Sequence, residues 1–281
     1  MRVNVNNPVL VKEVKLRFRS LKSFTGILFY LIAMSIFVFG FIFLTTSFSG
    51  TGFFKPDQSF ILFGLLTYIQ LGLILFITPG LTAGTISTER EKQTLNMLLT
   101  TSQSSMQIIL GKLSSSIAFL LLMLVAGLPI YSLVFLFGGI SPSQLGLIFL
   151  FFLLTMITVG SIGVMFSTIT RKTIVAMIAT YGTMIFLSIV TAFFFMITVQ
   201  VNMMGTGAIQ SPSPIAHFWA SINPGILIFT LLNPTTEEFV TELTQIDFPV
   251  WAGFTIFYVV LAATAITISI KKLRVNMNRP K

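Results

Sequence analysis

The chain has 281 residues, of which 54% are hydrophobic and only 9% charged, and its mean hydropathy is +0.94. A soluble domain carries about 25% charged residues, so most of this surface cannot face water, and the soluble classes are excluded. The net charge of +9 is better explained by an anionic membrane leaflet than by nucleic acid, and the absence of Cys removes disulfides, thiolate metal sites and Cys nucleophiles.

The first element is an amphipathic helix over residues 6–24, with Asn7 as its cap and Pro8 at the first helical position. Leu10, Val14, Phe18 and Leu21 form its apolar stripe, and Lys12, Lys15, Arg19 and Lys22 spread over the rest. Glu13 and Arg17 are spaced as an i, i+4 ion pair. This pattern predicts a helix on the membrane surface that runs into the first span.

A helix needs about 20 apolar residues to cross the hydrocarbon core. Uncharged runs of that length lie at 24–46, 59–86, 113–137, 145–169, 174–203 and 248–270. They predict an all-α polytopic membrane protein with six transmembrane helices in a single domain over residues 1–281. Pro79-Gly80 near the end of the second run is a candidate hinge, since proline removes a helix hydrogen bond. In the fifth run, Thr173, Ala176, Ala179 or Thr180, and Thr183 make a small-residue face. It suits close packing, either within the chain or between two chains.

Between the second and third runs lies ISTEREKQTLNMLLTTS, residues 86–102. Thr88 and Glu91 have the spacing of a capping box, and Glu89 and Glu91 suit the positive end of a helix. Leu95, Leu98 and Leu99 follow as a narrow apolar stripe. The loop is therefore expected to hold a short amphipathic helix, 88–99. Composition alone allows it to rest on the headgroups.

Residues 215–232 are apolar enough for a seventh span, but Asn223-Pro224-Gly225 interrupts them. Such a break leaves backbone groups unsatisfied in lipid, so an outer re-entrant or interfacial segment is expected before span six. His217 reads as an interfacial residue beside Phe218 and Trp219. Glu237, Glu238, Glu242 and Asp247 follow as an acidic cluster, expected to be an ordinary solvated loop.

Six spans put every basic residue except Lys55 on one side, so both termini are expected to be cytoplasmic. The spans hold no ionisable residue in their interiors, which disfavours ion-coupled transport and intramembrane catalysis. No G-x-x-x-x-G-K-[ST] loop occurs, so the chain is not expected to be an enzyme. Energy for transport would come from another subunit.

The run Ser87-Thr88-Glu89-Arg90-Glu91, with Thr94, Leu95, Leu98 and Leu99, followed by Gly111-Lys112, closely resembles the permease subunits of type-2 ABC exporters. Asn7-Pro8-Val9-Leu10-x-Lys12-Glu13 is similar to that family's N-terminal helix. Asn223-Pro224 and Asn233-Pro234 are similar to its loop before the last span. One departure is Gln93, where glycine is frequent in the family. The resemblance implies a bacterial cell-membrane permease, paired with a second permease chain as a homodimer or heterodimer. It further implies a cytoplasmic ABC ATPase subunit, which would hold ATP and Mg while this chain binds neither. Residues 88–99 would be the coupling helix seated in that ATPase. A non-transporting sensor subunit and a channel or scaffold subunit remain the alternative classes.

Overall fold

The computed structural model describes residues 8–19, 21–49, 56–95, 103–136, 141–204, 212–232 and 234–275, and among these every regular element is a helix. In chain order they are α1 (Pro8–Phe18), α2 (Leu21–Ser49), α3 (Pro56–Thr82), α4 (Ser87–Glu91), α5 (Ser105–Ala126), α6 (Leu128–Leu136), α7 (Pro142–Ile169), α8 (Thr173–Ile185), a π-helical turn (Phe186–Val190), α9 (Thr191–Met204), α10 (Pro214–Ile222), α11 (Pro224–Leu232), α12 (Pro234–Thr244) and α13 (Val250–Val275). Among the described residues, six stretches are long and apolar enough to cross a membrane: Phe24–Ser47, Gln58–Glu91 (α3 with the charged α4 at its end), Ser105–Phe135, Pro142–Ile169, Thr173–Met203 and Val250–Leu273. The six-helix expectation holds.

The fourth span, α7, is the centre of the bundle. It packs on α3, α5, α8, α11 and α13, and 67% of its apolar window is buried, against 17% for the first span. Lipid tails are as apolar as leucine, so helices in a membrane associate through close packing that small residues permit. Gly160 and Gly163 supply that closeness. A Cβ on Gly163 would run into Thr82 Oγ1, and one on Gly160 would lie 3.0 Å from the Leu113 side chain. The small-residue face of the fifth span also faces inward. Ala176 and Thr180 are fully buried where α8 meets α3 and α7, so this part of the face is an intrachain seam.

Two local expectations are corrected. The third span begins at Ser105, well before 113, because Ser104 and Gln107 form a reciprocal capping box. Lys112 is therefore not a loop residue; it stands two turns into α5 and is 5% exposed. Second, the N-terminal helix does not run unbroken into the first span. α1 ends at Phe18 and a new helix starts at Leu21, leaving Leu21 83% exposed and outside the stripe. α1 lies along α5, with the rings of Phe18 and Phe119 edge to face at 6.4 Å; Leu10 and Val14 are half-buried. Glu13 also pairs with Lys112, 3.0 Å away; the side chain of Arg17, its expected partner, lies outside the described residues.

Residues 215–232 form two helices, α10 and α11, that meet at 90°. Asn223 makes the corner. Its Oδ1 accepts from Gly225 N at 2.8 Å and Ile226 N at 2.9 Å, capping α11. Its Nδ2 donates to Ser188 O at 2.6 Å and Thr191 Oγ1 at 2.7 Å. Ser188 lies in the π-helical turn of the fifth span, where the wider backbone spacing disturbs the ordinary ladder. One side-chain amide thus starts a helix and pins a second.

Candidate functional site at the charged end of the bundle

The loop after the second span is held by side chains from four other elements. Ser167 of α7 accepts from the backbone N–H groups of Ile86 and Ser87, both at 2.9 Å. Ser167 thereby serves the helix start that Thr88 was expected to cap. The Thr88–Glu91 capping box is absent, because both side chains turn to the fifth span. Thr88 Oγ1 lies 3.2 Å from Thr173 Oγ1. The Glu91 carboxylate accepts from Thr173 N at 2.7 Å and Thr173 Oγ1 at 3.0 Å. It thus caps α8, whose own N-cap residue Lys172 makes no side-chain cap, and a carboxylate suits that positive helix end.

The neighbouring charges reach elsewhere. Arg90 donates to the carbonyls of Thr170 and of Thr168, the latter at 3.0 Å. These carbonyls lie at the C-terminal end of α7, where a cation is favoured. Glu89 Oε1 accepts from Lys112 Nζ at 2.7 Å, and the same amine reaches Glu13 Oε1 at 3.0 Å. Glu89 therefore ties the loop to α5 and α1, Arg90 ties it to α7, and Glu91 ties it to α8.

α4 stops after Glu91. Thr94 N donates to Glu89 O at 2.9 Å and Gln93 N to Arg90 O at 3.1 Å, which is the Schellman pattern, with Gln93 in the left-handed region at φ 59. Glycine takes that conformation without strain, which gives a physical reason for the residue type frequent at this place in the resembling family. The expected single helix over 88–99 is thus interrupted at Gln93. Leu95 follows, helical again, but it is 5% exposed and packs with Ile86, Ile108, Ile109, Leu113, Val164 and Leu273. Its side chain is occupied inside this chain. Leu98 and Leu99 lie outside the described residues. Among the described residues of the loop, Glu91, Lys92, Gln93 and Thr94 form an exposed tip.

The candidate hinge lies just before this loop. α3 continues through Pro79 to Thr82. Tyr181 of α8 donates to Phe76 O at 2.9 Å, and a Cβ at Gly80 would meet the same hydroxyl at 3.4 Å. The fifth span therefore braces the Pro79-Gly80 turn from outside. Two residues of this framework carry no charge or motif that marks them in sequence: Ser167, and Gln70, which accepts from Tyr30 at 2.6 Å in the buried core. Lys112 could have been found from Ser104-x-x-Gln107, whose capping-box spacing places the helix start upstream of it.

Chemically, the site holds paired charges and helix caps that tie α4 to α1, α5, α7 and α8. No curated protein matches the chain. The sequence pattern of the ABC-2 family transporter proteins matches residues 9–270, from the N-terminal helix to the last span; the chain belongs to that family and is a membrane permease component of an ABC transporter.

Proposed function

We propose that this permease is driven by a separate ABC ATPase that binds the loop after the second span. Two permease chains would form the path, and transport would run outward from a cytoplasmic side that holds both termini. ATP and Mg would belong to the ATPase. The observation that carries this reading is that three consecutive charges, Glu89, Arg90 and Glu91, grip α5 with α1, α7 and α8 respectively. A force applied to the exposed tip would reach three spans together.

The cytoplasmic placement is supported by the basic residues. The loop, Lys112, Arg171 and Lys172 lie together, and Leu273 near the end of α13 packs with Ile86; the acidic cluster lies beyond the start of that helix. The outward direction and the pairing of permeases are supported by the type-2 exporter resemblance. The corner at Asn223 supports a segment that dips into the bilayer and returns, because a 90° bend does not carry a helix straight through.

The test uses Lys92, which is exposed and lies outside the clamps. Lys92→Glu is expected to reduce co-purification of the ATPase and ATP-driven transport while the permease keeps its thermal stability. Full retention of both would reject docking at this tip.

A further inference from the structure

The fifth span holds one residue more than a continuous α-helix over the same path would. Thr191 N donates to Phe186 O, five residues back, where an α-helix bonds four back. The π-helical turn thus stores an extra residue, and every residue of α9 stands one place behind its α-helical position. Asn223 holds this turn from the neighbouring corner. It is 1% exposed and donates to Ser188 O and to Thr191 Oγ1.

Releasing that residue would turn α9 by about 100° and advance it by about 1.5 Å. Each place in α9 would then pass to the preceding residue. In most helices such a step would bury the wrong face, but here the sequence repeats itself across it. Thr191 is fully buried, Val199 is 9% exposed, and Phe195 packs on the cluster that holds Phe151, Ala220 and Leu227. Their replacements would be Val190, Thr198 and Phe194, each close in shape to the residue it succeeds. Thr198 Oγ1 already donates to Phe194 O at 2.8 Å, so its hydroxyl can enter an apolar place with its bond made. The outer contact repeats as well. Phe194 stacks on Trp219 at 5.0 Å, and Phe193 would take its place.

We propose that the fifth span has two registers, that the bond from Asn223 to Thr191 selects the observed one, and that the step between them narrows a groove. Asn223 can tell the registers apart. Thr191 Oγ1 accepts from its Nδ2 at 2.7 Å, whereas Val190 in the same place has no acceptor to offer. The groove, a cavity of about 390 Å³ beside Tyr68 and α11, has Ala192 and Met196 in its wall. The larger Thr191 and Phe195 would replace them. Because the face turned to the bundle stays nearly constant, the helix can pass between two packed arrangements without unpacking. The switch lies within this chain and requires no particular motor.

The chain has no native Cys, so cysteine pairs can report the register of the full chain in membranes. A short bifunctional thiosulfonate should join Phe194→Cys to Trp219→Cys in the observed register, and Phe193→Cys to Trp219→Cys in the other. Thr191→Val removes the acceptor with little change of shape. It should raise the yield from position 193 about fivefold, the worth of one hydrogen bond. The swap of Val190→Thr with Thr191→Val offers the hydroxyl in the other register only. It should raise that yield further while the yield from position 194 falls. Deleting Ile189, which is 65% exposed, removes the stored residue. The link from position 194 should then persist and no longer respond to Thr191→Val. A yield from position 193 unchanged in both the single variant and the swap, or a deletion that moves the link to Phe195→Cys, would overturn the proposal.

Discussion

Lys112 Nζ stands 2.7 Å from Glu89 Oε1 and 3.0 Å from Glu13 Oε1, with the lysine 5% exposed and the two carboxylates 26% and 30% exposed. One buried amine thus joins the loop after the second span to the third span and to the N-terminal helix. Removing it leaves two carboxylates facing each other with no cation between them. Lys112→Met should therefore destabilise by on the order of 2–4 kcal/mol, discounted from a fully buried pair for the partial exposure of both acids. Glu13→Gln alone should cost less, because Lys112 keeps Glu89. Adding Glu13→Gln and Glu89→Gln to Lys112→Met should restore part of the loss in a detergent melting assay. If the triple variant melts below Lys112→Met, the acids were not repelling.

Arg90 forks onto two carbonyls, which a planar guanidinium can do and a lysine ammonium reproduces poorly. Arg90→Met should loosen the loop from the fourth span more than Arg90→Lys does. The chain has no native Cys, and the Thr88 and Thr173 hydroxyl oxygens are 3.2 Å apart. A Thr88→Cys, Thr173→Cys pair should therefore oxidise readily to a disulfide. Adding Arg90→Met should slow that oxidation several-fold, and an unchanged rate would show that Arg90 does not position the loop.

Gln93 is strained where it stands, at φ 59. Gln93→Gly should raise stability by up to about 1 kcal/mol, and Gln93→Val should lower it, because a β-branched residue tolerates the left-handed region worst. Paired melting curves of the two variants check the sign. A destabilising glycine would mean that the Schellman turn does not form.

Among the described glycines, Gly163 has the closest neighbour. Gly163→Ala should destabilise markedly, because the new methyl would run into Thr82 Oγ1 and lie 3.0 Å from Thr82 Cβ. Thr82→Ala removes the first contact and not the second, so the double variant should recover only partly. Full tolerance of Gly163→Ala would show that the second and fourth spans can separate there.

The six helices were legible because each is a long uncharged run, and the break at Asn223 because proline and glycine follow it. The charged loop was legible as a structured element, but its partners were not. Thr88 and Glu91 have capping-box spacing, yet the helix start already has Ser167, and the start of α8 lacks a cap. Local spacing cannot show that a residue 80 positions away offers a better bond. Leu95 shows the same limit from the apolar side. It fits a surface stripe by periodicity, but the start of α5 and the ends of α7 and α13 form a pocket that takes it. Gly160 and Gly163 stand in plain sequence as a small-residue pair, but two glycines in an apolar helix do not reveal which neighbour they admit.

The most direct measurement of the coupling role is photo-cross-linking from the exposed tip in living cells. Benzoylphenylalanine placed at Lys92 or Gln93 should form an adduct that mass spectrometry identifies as an ABC ATPase, while the same group at Thr241, at the other end of the bundle, should not. Adducts to lipid alone at Lys92 and Gln93, from a permease that still transports, would mean that the loop rests on the membrane and that the motor grips this chain elsewhere.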